Sequence, residues 1–184
     1  MVKCSNWPAF VLAALVVGVG SPIAAVAAPQ KGATKSTEAR LQELEDRQAI
    51  HELLMNYGRT IDTRNFEAFA RLFTDDAEYG GGKLQFKGPA AIRERLETSL
   101  KARPMPGRDW HFLMNETVTL NGDEATAVSL GAFFVRGEGN KLESNSIAIY
   151  TDHLVRQDGV WKFKRRVLSS VPSEDVLKIL TPPR

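Results

Sequence analysis

HFLMNETVTLNGDEATAVS, residues 111–129, carries the alternating pattern of a β-hairpin. Apolar and polar residues alternate on either side of Asn121-Gly122-Asp123, so two strands meet at a tight hairpin turn. The same two-residue period runs from Asp109 onward and gives four strand candidates. They are Trp110–Leu120, Glu124–Arg136, Asn145–Arg156 and Val160–Ser170. Gln157-Asp158-Gly159 joins the last pair, and Gly137, Gly139 and Asn140 mark a looser turn between the middle two. Consecutive strands joined by short turns form an antiparallel meander.

Upstream of Asp109 the apolar period is that of a helix. Leu41, Leu44, Ile50, Leu53, Leu54, Tyr57 and Ile61 recur at three- and four-residue steps, which marks one buried face. Ser36 or Thr37 is placed to cap this helix, with Glu38 favourable in its first turn. Asn65 is placed to cap a second, shorter helix carrying Phe66, Phe69, Leu72 and Phe73. Gly80-Gly81-Gly82 breaks the chain, Leu84–Lys87 is a short strand candidate, and Pro89 opens a third helix through Ile92, Leu96 and Leu100. Helices followed by a meander describe an α+β domain, its N-terminal helices packed on a mainly antiparallel sheet. The tail 172–184 carries the pattern of a last short helix through Val176, Leu177 and Leu180, ended by Pro182-Pro183.

The 184 residues suit one compact domain. A net charge of +2 argues for neither nucleic acid nor an anionic membrane as partner. Residues 1–27 read as a secretory signal peptide: Lys3 gives a basic start, Phe10–Val19 an apolar run, and Ala25-Val26-Ala27 a small-x-small cleavage site. A membrane anchor needs about 20 apolar residues, and Gly18, Gly20, Ser21 and Pro22 interrupt this run too early. Cleavage leaves 23 basic against 22 acidic residues and removes the single cysteine, Cys4. The expected location is therefore periplasmic or secreted, with residues 28–39 as a linker and no stable membrane anchor after cleavage.

RQAIHELLMNYGRTID (47–62), NFEAFARLFTDDAEY (65–79) and GPAAIRERL (88–96), followed by residues 111–129 and YTDHLVRQDGVWKFKRRVL (150–168), stand in an order that resembles the SnoaL-like domains of the nuclear transport factor two-like superfamily. The resemblance implies a cone-shaped fold with a curved sheet over residues 40–171. That superfamily includes enzymes, carriers and interaction modules, so fold alone does not assign function. The subgroup resembling scytalone dehydratase and the lindane dehydrochlorinase uses an Asp at the end of the first helix and a His on the first long strand. Asp62 and His111 match those positions.

As an acid–base pair, Asp62 would fix the His111 tautomer while the imidazole takes a proton from carbon and returns one to a leaving group. The bland alternatives are a turn at Asp62-Thr63-Arg64-Asn65 and a structural histidine at His111. Tyr57, Asn115 and Tyr150 are the candidate substrate-binding residues. Alternation puts Asn115 on the His111 face, and Tyr150 shares a face with Asp152 beside the small Ser146 and Ala148. Tyr57 lies on the apolar face of the first helix, where core packing with a satisfied hydroxyl is the favoured explanation. His51 and His153 read as solvated or outward-pointing. With no helical His pair and no remaining Cys, neither a metal nor another cofactor is expected.

Alternation sets Trp161 and Phe163 on one face of the last strand and Lys162, Lys164 and Arg166 on the other, the pattern of a solvated edge. Arg166 matches a recurrent arginine of the resembled family, which would reach the pocket only through a bulge. Two functions follow: a cofactor-independent lyase (dehydratase or dehydrohalogenase type) or isomerase of a small apolar molecule, or a non-catalytic cup for a small-molecule ligand. Phe112, Met114, Val118, Val128, Ile147 and Ile149 alternate away from the pocket, and such a face suits a homodimer.

Overall fold

The computed structural model describes residues 35–101, 109–137, 139 and 141–181. The expected leader at 1–27 lies outside them. Helix α1 (Thr37–Asp62) starts where the Ser36 hydroxyl accepts the Ala39 N–H at 3.2 Å. This cap supplies one of the partners that the first turn lacks, so the helix begins inside the stretch expected to be linker. Ile50, Leu53, Leu54, Tyr57 and Ile61 are buried in the core, each large apolar side chain contributing about 1.5–3 kcal/mol. Leu41 and Leu44, expected on that same face, are exposed.

Arg64 ends α1 in a left-handed conformation (φ 59°). Asn65 then caps α2 (Phe66–Ala70), its side chain accepting the Ala68 N–H at 3.0 Å. The chain continues through β1 (Phe73–Gly81), β2 (Leu84–Lys87), α3 (Gly88–Leu100), β3 (Asp109–Asn121), β4 (Glu124–Arg136), β5 (Leu142–Gln157), β6 (Val160–Ser169) and α4 (Glu174–Leu180). Strand β1 was not expected from the sequence. Its run Thr74-Asp75-Asp76 lacks alternation, and its main partner is β6, distant in sequence and parallel to it.

The six strands follow the order β2-β1-β6-β5-β4-β3, and every neighbouring pair except β1·β6 is antiparallel. The fold is therefore α+β, a long helix and shorter ones packed on a mixed, mostly antiparallel sheet. This agrees with the nuclear transport factor two-like cone. The main core brings α1, α2 and α3 residues against Ala125, Ala127, Tyr150, Leu154, Trp161 and Phe163.

Two irregularities change which side chains enter that core. Between Met114 and Thr117 the β3·β4 register shifts, so Asn115 and Glu116 together oppose one residue of β4. The bulge reverses the alternation: Val118 and Leu120 pack on the core, and Glu116 reaches His51 of α1 at 2.7 Å. Between His153 and Leu154 the β5·β6 register shifts again and leaves Lys164 as the extra residue. Arg165 is turned outward, and Arg166 inward with no exposed surface.

The opposite face of the sheet carries α4, which the Ser173 side chain caps by accepting the Val176 N–H at 3.3 Å. Val176 and Leu180 pack with Val128, Leu130 and Ile149. The tail thus covers part of the face expected to be free for a second subunit. Trp110, Phe112, Met114 and Ile147 stay exposed.

Candidate functional site

The end of α1 and the start of β3 bring Asp62 and His111 together. The His111 ring Nδ1–H donates to Asp62 Oδ1 at 2.6 Å, and the His111 backbone N–H donates to Asp62 Oδ2 at 3.1 Å. Both side chains are largely covered, with 15% and 14% of their surface exposed. Holding the proton on Nδ1 leaves the basic lone pair of a neutral imidazole on Nε2. The ring lies against Phe133, centroids 4.6 Å apart.

Two features fix this approach. Arg64, two residues after Asp62, pairs with the buried Asp109, two residues before His111. That pair is a second cross-link between the same loop and the same strand, and Arg64 is itself held by donating to Ile61 O at 2.7 Å. Gly58 permits the close approach of α1 to β3, since a Cβ there would stand 3.1 Å from the His111 Cβ.

One residue before Gly58, Tyr57 belongs to a second cluster. Its hydroxyl is 2.9 Å from that of Tyr79, and its ring meets Tyr150 edge-on at 5.7 Å. The Arg166 guanidinium carbon lies 4.0 Å from the Tyr57 ring centre, 4.1 Å from that of Tyr150 and 4.6 Å from that of Phe163. Aromatic faces thus supply much of its environment. Its three side-chain nitrogens make no hydrogen bond. Asp152, opposite it on β5, approaches Nη1 to 3.5 Å, and neither carboxylate oxygen is hydrogen-bonded. Ser129, on the neighbouring strand, also buries an unbonded hydroxyl.

Burial pushes the Tyr57, Tyr79 and Tyr150 phenols above their usual range, the Arg166 charge opposing the rise, so all three stay protonated hydrogen-bond donors at neutral pH. Burial also pushes the Asp152 carboxyl up to about 6, again against Arg166. The tight approach of β4 to β5 here depends on Gly131, where a Cβ would stand 2.2 Å from the Tyr150 ring. Beside this cluster a chamber of about 320 Å³ is lined by Tyr79, Phe86, Leu96 and Leu168 together with Arg95 and Ser99. Its size suits a small, largely apolar molecule. Asp62 and His111 do not line it.

Of the five residues expected at the site, Asp62 meets His111 and Tyr57 meets Tyr150. Asn115 joins neither pair. The bulge places it exposed and at φ 53°, so the expected shared face with His111 ends at Leu113. Asp152 and Arg166 do reach the interior. Sequence alone left both open: alternation puts Arg166 on a solvated edge, and it puts Asp152 on the Tyr150 face without fixing whether that face reaches the interior. The basic run of β6 is also dispersed: Lys164 pairs with Asp76, Arg165 lies 3.6 Å from Glu78, and Arg166 is inside. His153 is exposed and lies 3.3 Å from Glu124. Among the described residues, no group of three or more His, Cys, Asp or Glu is placed to hold a metal ion. No helix among them is long and apolar enough to cross a membrane.

A long N-terminal helix packed on a mixed, mostly antiparallel six-stranded sheet, with an Asp–His pair at the helix end, defines a protein of the nuclear transport factor two-like cone fold. The SnoaL-like domain model matches residues 42–167, and the chain belongs to that family. It is 32% identical over 131 residues to a gamma-hexachlorocyclohexane dehydrochlorinase from Sphingobium indicum, covering 68% of this chain and 81% of that one. An uncharacterized protein of Mycobacterium tuberculosis is 30% identical over 130 residues, covering 68% and 85%. Among solved structures, a nuclear transport factor two-like protein from Novosphingobium aromaticivorans superposes with a TM-score of 0.68 at 32% identity, covering 82% of this chain and 99% of that one. A hexachlorocyclohexane dehydrochlorinase superposes at 0.61 and 27% identity, covering 71% and 88%.

Proposed function

We propose that the chain is an exported lyase of dehydratase or dehydrohalogenase type, or an isomerase, working on a small, mostly apolar molecule without a cofactor. The observation that carries this reading is the pair of hydrogen bonds that Asp62 accepts from the ring and the backbone N–H of His111. It orients the ring and sets Nε2 as the base. His111 would take a proton from carbon, Asp62 would stabilise the imidazolium, and Tyr57 and Tyr150, as protonated phenols, would bond a substrate oxygen or leaving group. Water exclusion by the aromatic interior strengthens each of these contacts. The kinship to a dehydrochlorinase supports elimination over the other lyase chemistries.

Incubation with vicinal halo- and hydroxy-substituted rings, read by mass spectrometry for loss of hydrogen halide or water, tests it. Elimination is expected in the wild type and a loss of about a hundredfold or more in His111→Ala. Full turnover in His111→Ala overturns the catalytic reading. A non-catalytic ligand cup is the second reading, favoured by the absence of Asp62 and His111 from the chamber lining. Export rests on the leader pattern of residues 1–27, and association into a homodimer on the exposed Trp110, Phe112, Met114 and Ile147.

A further inference from the structure

Phe86 of β2, Leu96 of α3 and Leu168 of β6 give the chamber of about 320 Å³ its apolar walls. Gly80 and Gly81 belong to the same lining, and a Cβ on either would collide with the backbone of Leu84 or Leu168. The glycine run therefore lets β1 fit closely between β2 and β6 at this wall. Among the described residues of the lining, Arg95 alone carries a formal charge. Ser99 stands four residues further on, one turn along the same face of α3. Arg95 is half-buried, and its partner is a ring, not a carboxylate: the guanidinium carbon lies 5.7 Å from the Phe86 ring centre. The acidic residues around it are engaged or turned away. Arg93 takes both Glu97 and Glu67. Glu94 is exposed, and adjacent residues on a helix do not face each other.

A guanidinium resting on an aromatic face keeps its N–H edge free, and that edge matches the two oxygens of a carboxylate. The Ser99 hydroxyl can add a donor, as can the Tyr79 phenol. Burial raises that phenol above its usual range, with Arg166 and Arg95 among the charges opposing the rise, so it keeps its proton. We propose that the chamber binds a small carboxylic acid as its anion. The apolar body lies against Phe86, Leu96 and Leu168, and the carboxylate pairs with Arg95 beside Ser99. This rests on the small, mostly apolar ligand proposed above and names its class. Asp62 and His111 take no part in the binding, since neither lines the chamber. The walls supply affinity for the body of the molecule, and Arg95 supplies the choice of charge.

Three probes of one shape test this on the full chain by isothermal titration at about pH 7.5: cyclohexanecarboxylate, cyclohexanecarboxamide and cyclohexylmethylammonium. The wild type is expected to bind the carboxylate about tenfold more tightly than the amide, and the ammonium most weakly. Arg95→Gln is expected to bring carboxylate and amide within about twofold of each other, while Arg95→Lys keeps part of the preference. Arg93→Gln removes a neighbouring cation of the same helix that does not line the chamber, and should leave the ratio as in the wild type. An equal loss in Arg93→Gln and Arg95→Gln would mean general surface attraction and overturns the site. So does a wild type with no preference for the carboxylate, or with no carboxylate binding at millimolar concentration. Ser99→Trp, which adds a large ring to the lining from an exposed position, is expected to weaken carboxylate binding about tenfold or more. Undiminished binding there puts the acid elsewhere and contradicts the proposal. A wild type that selects the carboxylate but eliminates nothing from halo- or hydroxy-substituted rings defeats only the acid–base reading. Elimination that is lost in His111→Ala, with no preference among the three probes, defeats only the carboxylate assignment.

Discussion

Asp62 holds His111 by two bonds at once, the ring Nδ1–H at 2.6 Å and the backbone N–H at 3.1 Å. One carboxylate therefore fixes both the tautomer of the ring and the position of the strand that carries it. A substitution at Asp62 acts on the proton and on the geometry together. Asp62→Asn keeps an acceptor and much of the shape but no longer stabilises an imidazolium. Turnover is expected to fall by about 10²–10⁴, while the melting temperature moves by a few degrees at most. Steady-state kinetics and thermal unfolding, measured side by side, check the pairing of these two effects.

At the other end of α1, Asp46 accepts from Arg156 at 2.6 Å, from Trp161 Nε1 at 3.1 Å and from Gln42 at 3.2 Å. It ties the helix to the β5–β6 hairpin, and Arg156 lies over the Trp161 ring. Asp46→Ala leaves the buried Trp161 Nε1–H without its acceptor and Arg156 with Asp123 alone. A loss of about 2–4 kcal/mol is expected, a drop of roughly 5–10 °C in melting temperature. The Asp62–His111 end should be unaffected, so turnover at low temperature should stay near wild type.

Asp152 makes the stability of the fold depend on pH. Its folded value of about 6 lies above the usual 3.8, because burial disfavours the charged form more than Arg166 favours it. Between those values the folded chain holds a proton that the unfolded chain has released. The contribution is full below about pH 4, declines as pH rises and is gone above about pH 6, a change of about 3 kcal/mol. Urea midpoints measured across that window in wild type and Asp152→Asn should show a slope in the first that is reduced in the second. Parallel curves would mean that Asp152 is not buried as described.

The exposed Trp110, Phe112, Met114 and Ile147 lead to a prediction on assembly. Light scattering at micromolar concentration should give a dimer, and Ile147→Asp, which places a charge on that face, should give a folded monomer. A wild-type monomer under the same conditions contradicts it.

Much of this was legible in the sequence, and what was not has a common cause. The spacing Ile50, Leu53, Leu54, Tyr57, Ile61 gave the buried face of α1, and Asn65 announced the cap of α2. Asp62 and His111 were found by motif order, and they meet in the structure. The period-2 reading failed at the two bulges. At Asn115–Glu116 it kept Asn115 on the inner face and Val118 on the outer one, and at Lys164 it left Arg166 in solvent. A bulge is one residue of register set by partner strands, and a single strand's alternation carries no trace of it. Strand β1 was missed because its pairing with β6 spans most of the domain. The Asp152–Arg166 pair becomes visible only once both strands are aligned.

Asp62 accepts the Nδ1 proton of His111 and leaves Nε2 as the base. Nitrogen-15 NMR of the imidazole at a pH where the ring is neutral reads this directly. A protonated Nδ1 and an unprotonated Nε2 are expected in the wild type, with the Nδ1–H preference lost in Asp62→Ala. A wild-type ring protonated on Nε2 would contradict it.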